Sequence, residues 1–251
     1  MFIAANHQKQ CYQDQFLRRG LPSFMIIFTD FDGTITRQDV LDEILQRFAD
    51  KKWLEIEKKW LAGEIGSLEC LKQQMALVKA DTSDMEELLD SIEIDPTFPE
   101  FSSYCFTEEI PLRIVSDNFR WFILHILTKN LPEHRNILER IPIFANEVQW
   151  VGTRLEFAFP HSGGDCTHGC ATCKAGIITK SRAREKDEII FIGDGLSDRF
   201  GSREADLVFG KSKLLEYCHK NGIEVIPFEQ FSKIKSWVES KRKLAPKKLP
   251  L

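Results

Sequence analysis

The sequence predicts an α/β protein: a Rossmann-like parallel sheet, interrupted after its first strand by a helical insert. Short continuous apolar runs recur at Phe24-Met25-Ile26-Ile27-Phe28, at Ile110-Pro111-Leu112-Arg113-Ile114-Val115 and at Glu188-Ile189-Ile190-Phe191-Ile192. Such runs mark strands buried on both faces. Helical patterns fall between them, over 118–129 and 174–184, and alternating strands and helices imply a parallel sheet covered on both sides. The stretch from Thr36 to Pro111 is far longer than the single helix a crossover needs.

Residues 1–23 are polar and aperiodic, an N-terminal extension, and Met25 at the head of the first strand is a candidate translation start. The core is expected over 24–36 and 96–240. Between them, 37–95 reads as a helical cap, with one apolar stripe of Val40, Leu41, Ile44, Leu45 and Phe48 and another of Leu68, Leu71, Met75 and Val78. Ser83 and Glu86 have capping-box spacing, and Asp95-Pro96 reads as a cap followed by proline at the first helical position. The second core strand tolerates Pro111 only near its start. Short strands are expected near 205–209 and 222–228, and 241–251 is a basic, solvated tail.

Composition narrows the function classes. With 43% hydrophobic and 29% charged residues, the chain is an ordinary globular one. A formal net charge of −4 lacks the basic footprint of a nucleic-acid binder. No apolar run approaches the roughly 20 residues of a membrane span, and the polar N-terminus lacks the apolar stretch of a secretory leader. Seven cysteines, an odd number, then point to a reducing cytoplasm rather than a disulfide framework.

The chemistry lies at the strand ends. Asp30-Phe31-Asp32-Gly33-Thr34 follows the first strand, and alternation turns Asp30 and Asp32 the same way while Phe31 enters the core. The second strand leads to Ser116-Asp117-Asn118 and the third to Gly193-Asp194-Gly195-Leu196-Ser197-Asp198, with Lys174 opening a helix between them. Open parallel sheets bind ligands beyond the carboxyl ends of their strands. Taken singly, Ser-Asp at a strand end is a helix cap and a lysine is a surface residue. In this order they form a phosphoryl-transfer site.

That order resembles the four motifs of the haloacid dehalogenase phosphatases, and the insert resembles their C1-type cap. Thr29 to Thr36, with Pro160-His161-Ser162, Cys166, Cys170 and Cys173-Lys174, is similar to the methionine-salvage branch, which acts on 2-hydroxy-3-keto-5-methylthiopentenyl-1-phosphate. The resemblance spans about 24–237 and is strongest at the motifs. It implies Mg²⁺ bound by Asp30, the backbone carbonyl of Asp32, and Asp194, with Asp198 orienting a metal-bound water or Lys174. Ser116, Lys174 and backbone N–H groups from Asp117 onward would hold the phosphoryl oxygens. Asp30 then serves as the nucleophile and becomes phosphorylated. Asp32 protonates the leaving oxygen and later deprotonates the attacking water. The expected partner is a small phosphorylated metabolite, not nucleic acid or membrane.

Two rival readings stay open. A phosphoserine phosphatase or phosphotransferase would place an acid in the first cap helix, and Asp39 lies near that place. A non-catalytic binding protein on this fold would be expected to lack Asp30, Asp32, Lys174 or Asp194, and all four are present. Aromatic Phe48, Trp53 and Trp60 in the cap are core candidates. Any that faces the crevice would offer an apolar wall to the leaving group. Cys166, Cys170 and Cys173, with His161 or His168, could hold zinc, form a reversible disulfide between Cys170 and Cys173, or only shape the loop before Lys174. Their spacing also matches iron–sulfur radical enzymes, which need a different barrel architecture.

Overall fold

The computed structural model describes residues 25–151, 154–164, 166–182 and 187–244. The extension 1–23 and the end of the basic tail lie outside these residues. The first strand, β1 (Met25–Thr29), enters the insert of α1 (Val40–Phe48), α2 (Trp53–Leu61), α3 (Ser67–Met75) and α4 (Thr82–Ser91). The chain returns through α5 (Phe98–Thr107) to β2 (Leu112–Phe119), then α6 (Arg120–Asn130), the short α7 (Arg135–Leu138), β3 (Ile143–Val151) and β4 (Arg154–Ala158). After α8 (Lys174–Ser181) come β5 (Glu188–Gly193), β6 (Leu207–Gly210), α9 (Ser212–Asn221), β7 (Val225–Pro227) and α10 (Phe231–Leu244).

These strands form one sheet in the order β4-β3-β2-β1-β5-β6-β7. Pairing is parallel except between β3 and β4. The central strands are buried on both faces, as their unbroken apolar runs require. Ile27, Ile114 and Ile190 enter the larger core cluster on one face, while Ile26, Phe28, Val115 and Phe191 enter a second cluster on the other. Phe28 and Phe191 are fully buried, and burial of a side chain this size contributes about 1.5–3 kcal/mol.

The α/β class and the helical insert appear as expected, but several local details differ. The antiparallel hairpin β3–β4 was not anticipated. It pairs Val148 with Phe157 and Trp150 with Leu155. The box at the start of α4 is made by Asp81 and Asp84, not by Ser83 and Glu86. Asp84 N–H donates to Asp81 at 2.9 Å and Asp81 N–H to Asp84 at 3.3 Å. Ser83 and Glu86 lie inside the helix, which begins at Thr82. Asp95 does not cap α5 directly. Its buried carboxylate accepts from Thr97 N–H (2.7 Å), the Thr97 hydroxyl (2.6 Å) and Phe231 N–H (3.2 Å), tying the exit of the insert to α10.

The two linkers of the insert run side by side. Thr36 bridges Ile94, Arg37 N–H donates to Glu93 O at 3.0 Å, and Asp95 N–H donates to Ile35 O at 2.8 Å. The insert thus leaves and rejoins the core at one place, directly beside Asp30 and Asp32. At the other end, α10 carries the chain through Lys241 to Leu244. Among the described residues, no helix is long and apolar enough to cross a membrane.

Candidate active site

Asp30 sits one residue beyond β1 but remains in the ladder, its N–H donating to Ile192 O at 2.8 Å. Its side chain is buried, and one carboxylate oxygen lies 2.9 Å from Lys174 Nζ. Lys174, at the first turn of α8, is only 2% exposed and reaches Asp198 Oδ1 at 2.6 Å as well. The other Asp198 oxygen accepts the N–H groups of Asp194 (3.0 Å) and Gly195 (3.1 Å). Residues from β1, α8 and the turn after β5 are therefore joined through one ammonium group.

Gly33 allows the turn that follows. It has φ +63°, and a Cβ there would stand 2.5 Å from Asp194 Oδ2, so a side chain would be strained and would fill the space beside that carboxylate. Thr34 steadies Asp194 from the same turn, its hydroxyl donating to Oδ1 at 3.0 Å. Asp32 faces the insert. It accepts Val40 N–H from α1 at 3.2 Å, the Asn118 amide at 2.7 Å and the Ser116 hydroxyl at 3.4 Å. The Asp117 carboxylate accepts Thr172 N–H at 2.7 Å, while its carbonyl accepts the Asn146 amide at 2.6 Å.

All of the expected strand-end residues thus meet at one edge of the sheet. Thr34 and Asn118 stand in the motifs read from the sequence, though their hydrogen-bond partners were not assigned there; Asn146 and Thr172 were not anticipated. Asn146 and Thr172 carry no sequence signal, because their role depends on how β3 and the loop before α8 pack.

Crowding shapes the electrostatics. Burial, the neighbouring Asp198, and smaller effects of Asp194 and Asp32 push Asp30 well above the usual carboxylate range, against the pull of Lys174. Burial and then Asp39 raise Asp32, opposed by hydrogen bonds from Asn118 and Val40. Asp194 rises to about 6, through burial and then Asp198. Burial works against the charge on Lys174, but Asp198, Asp30 and Asp117 outweigh it and keep the ammonium protonated. Three carboxylates around a single lysine call for a further positive charge.

A divalent cation fits there. Oxygens of Asp30, Asp194 and Asp198 lie within 4.8 Å of one another, and an all-oxygen donor set suits Mg²⁺. Both oxygens of Asp198 are already engaged, which leaves Asp30 and Asp194 as the carboxylates with a free oxygen. Gly33 keeps open the space beside Asp194 that a methyl group would occupy.

Above this edge lies a cleft of about 130 Å³, lined on the core side by Asp30, Asp32, Asp117 and Asp194. The insert contributes Leu41, Leu45, Trp60 and Leu71, together with the acids Asp39, Asp42 and Glu57. Trp60 faces the cleft, its indole N–H held by Ser67 Oγ at 3.0 Å. Trp53 is instead buried in the core, and Phe48 packs against that core. The wall is mixed: apolar groups beside three carboxylates.

The cysteine cluster lies on the loop between β4 and α8. All six cysteines among the described residues are free thiols. The three-ligand group found within 4.8 Å among the described residues is made of aspartates, not of these sulfurs. Both neighbouring imidazoles are engaged in ring contacts, His168 stacked on Phe200 at 3.8 Å and His161 edge-on to Phe144 at 5.6 Å. No closed zinc set forms here among the described residues.

A family model described as Putative Phosphatase matches residues 24–238. The chain belongs to this phosphatase family. Its relatives include a 2-hydroxy-3-keto-5-methylthiopentenyl-1-phosphate phosphatase of Bacillus pumilus, 31% identical over 84% of this chain and 89% of the relative. One of the same description from Bacillus mycoides is 30% identical, over 82% and 91%. Among solved structures, a phosphoserine phosphatase captured as a phospho-aspartyl intermediate analogue matches with TM-score 0.61 and 17% identity, covering 86% of this chain and 99% of its own. A haloacid dehalogenase-family hydrolase from Salmonella enterica matches with TM-score 0.64 and 15% identity, over 93% and 79%. At such identities the structural matches establish the haloacid dehalogenase fold, and the family establishes phosphatase activity.

The raised carboxylates give a pH prediction for this family member. A carboxylate whose folded pKa exceeds its unfolded value binds protons preferentially in the folded state. The cost of burying its charge, and then of repulsion from its neighbours, is therefore present at neutral pH and is relieved as pH falls through the folded pKa. For Asp194 that window runs from about 6 down to the ordinary 3.8. Metal competes with those protons. The melting temperature of metal-free protein should therefore rise clearly on adding Mg²⁺ at about pH 7.5, and the increment should shrink as pH falls through about 6. Calorimetry with and without a chelator measures this.

Proposed function

We propose that this phosphatase is a magnesium-dependent phosphomonoesterase acting on a small phosphorylated metabolite, with Asp30 as the nucleophile and site of transient phosphorylation. The observation that carries this reading is the position of Asp30. One oxygen is fixed on Lys174, and the side chain borders the cleft beside Asp32. Asp30, Asp194 and the backbone carbonyl of Asp32 would hold the ion, which when bound would neutralise charge on the phosphoryl group and on the crowded carboxylates.

The residues of the chain then divide the work. The Asp30 carboxylate attacks phosphorus in line, splitting one difficult hydrolysis into two easier steps. The Ser116 hydroxyl, Lys174 and the N–H of Asp117 hold the phosphoryl oxygens. Asp117 contributes through its backbone, since its carboxylate is engaged by Thr172. Burial and then the nearby Asp39 favour the protonated form of Asp32, which suits it to give a proton to the leaving oxygen and take one back from water. Its bond to Val40 N–H links this acid to the first helix of the insert.

The Bacillus relatives support a phosphorylated keto or enol sugar from methionine salvage as substrate, and Leu41, Leu45, Trp60 and Leu71 would suit its methylthio-alkyl chain. A specific observation favours a second reading. Asp39, Asp42 and Glu57 share that wall and would suit a leaving group bearing an ammonium, as in phosphoserine.

Asp30→Asn should abolish turnover while the circular dichroism spectrum is retained, and Asp32→Asn should slow turnover by roughly 10²–10⁴-fold. Wild-type rates from Asp30→Asn would rule the mechanism out. For the substrate, kcat/KM should be higher for 2-hydroxy-3-keto-5-methylthiopentenyl-1-phosphate than for phosphoserine at saturating Mg²⁺, and Trp60→Ala should narrow the gap. A preference for phosphoserine that disappears in Glu57→Gln would transfer the assignment to the second reading.

A further inference from the structure

The four helices of the insert are fastened in two different ways. Helix α1 begins at Val40, whose N–H donates to Asp32 at 3.2 Å, so its first turn is tied to the reacting edge. Near its other end Arg47 pairs with Glu87 of α4 at 2.6 Å. Helix α4 in turn lies against core helix α6. There Asp90 meets His125 at 2.8 Å and Lys129 at 3.3 Å, and just beyond α4 the Ile92 carbonyl accepts the Asn130 amide at 3.3 Å. Met85, Leu88 and Leu89 of the same helix are buried. With the paired linkers at Thr36 and Ile94, these contacts make α1 and α4 an extension of the core.

Helices α2 and α3 form a hairpin that packs chiefly on itself. It leaves and rejoins the rest of the insert through a second neck, where Ala49 bridges Val78 and Lys79 N–H donates to Phe48 O at 2.9 Å. Side chains of one helix hold those of the other. Gln74, buried in α3, donates to Glu57 of α2 at 2.9 Å, and the Trp60 indole donates to Ser67 at 3.0 Å. The buried anchors Trp53 and Met75 lie within four residues of the neck, where a tilt displaces them least, and Leu71 midway already lines the cleft. The tip, 62–66, lies farthest out, about 13 Å along helices of nine residues. It meets the loop between β4 and α8. Leu68 N–H donates to Gly169 O at 2.9 Å, and a Cβ on Gly66 would stand 2.6 Å from that carbonyl. Gly66 has φ −80°, so glycine is needed there for the close approach and not for the turn. Lys72 Nζ also lies 5.4 Å from the centre of the Phe159 ring. The receiving loop is itself anchored, since Thr172 N–H donates to the Asp117 carboxylate at 2.7 Å.

We propose that the insert has a fixed half and a moving half: α1 and α4 stay with the core, while the α2–α3 hairpin tilts as one piece about the Ala49–Val78 neck, opening the cleft at its tip and closing it on Gly169. The catch at the tip is light. It consists of one backbone hydrogen bond and one cation–π contact, and Gly169 and Lys72 are exposed, so water replaces both contacts as they break. Moving the whole insert would instead part the ion pairs of Asp90 and withdraw Met85, Leu88 and Leu89 from the core, which costs far more. Because Gln74 holds Glu57 and Ser67 holds Trp60, the cleft-facing side chains of the hairpin arrive and leave together. Val40 meanwhile stays on Asp32, so the acid keeps its setting whether the cleft is open or closed.

The test is backbone amide relaxation dispersion by NMR on the full chain, which reads motions of microseconds to milliseconds. Amides of 53–77, Leu68 among them, should exchange between two states at one common rate, while 40–48 and 82–91 stay flat. Gly66→Ala adds a methyl group that the Gly169 carbonyl does not admit, at a backbone conformation that alanine tolerates. It should move the signals of 53–77 toward the minor state and leave Val40 at its wild-type shift. It should also raise KM for p-nitrophenyl phosphate by roughly tenfold, the factor that follows when the closed form falls to about a tenth of the population. A single process spanning 40–91, unrelated rates in α2 and α3, or flat profiles throughout would overturn the proposal, as would wild-type shifts and KM in Gly66→Ala. The dispersion measurement needs neither a variant nor turnover. Only the KM change rests on the cleft receiving the leaving group, so the hinge and the proposed reaction can fail separately.

Discussion

The ammonium group of Lys174, held between Asp30 and Asp198, is the interaction on which the rest of the site depends. All three side chains are nearly or wholly withdrawn from water. An isolated buried charge is expensive, and breaking a buried pair by removing one partner typically costs about 3–5 kcal/mol. Lys174 therefore has one place to be, and its position fixes the start of α8. Gly201 closes over its stem, where a Cβ would stand 3.1 Å from the lysine Cβ. Asp198 is secured in turn by the N–H groups of Asp194 and Gly195. The lysine thus also aligns the strand end that carries Asp194. A motif spread over 30, 174, 194 and 198 becomes one rigid unit because electrostatics leaves no cheaper arrangement.

The site is complete on the core but its selectivity is not. The insert is joined to the core by paired linkers beside Asp30, and its backbone meets the site side of the core again where Val40 N–H donates to Asp32 and Leu68 N–H donates to Gly169 O. These place Trp60 and the acids Asp39, Asp42 and Glu57 above the reacting edge. In the proposed reaction, chemistry is separated from recognition: strand ends would perform the transfer, while helices of the insert would meet the leaving group. Closing such a lid excludes water and strengthens every charge interaction beneath it.

Much of this was legible in the sequence because strand-end chemistry is local. The apolar run of β1 and the alternation after it place Asp30 and Asp32 on one side and Phe31, fully buried, on the other. The hairpin β3–β4 was not anticipated, although Val148, Trp150, Leu155 and Phe157 alternate with polar residues on either side of Gly152-Thr153. The cap box shifted from Ser83 and Glu86 to Asp81 and Asp84 because aspartate at both positions satisfies the same geometry two residues earlier. The mixed wall of the cleft was not legible at all. Whether Trp53 or Trp60 faces a ligand depends on how α2 rotates against α3 and α1, and the glycine contact between the insert and the cysteine loop joins residues about one hundred positions apart.

The central claim is that Asp30 carries the phosphoryl group. The most direct measurement is to quench the enzyme during turnover with substrate and Mg²⁺, reduce with borohydride, and sequence the peptide containing residue 30 by mass spectrometry. Borohydride converts an aspartyl-phosphate to homoserine. Homoserine at position 30, appearing only when substrate and metal are both present, is the predicted result. An unmodified Asp30 under active turnover, or homoserine at another aspartate, would contradict the account.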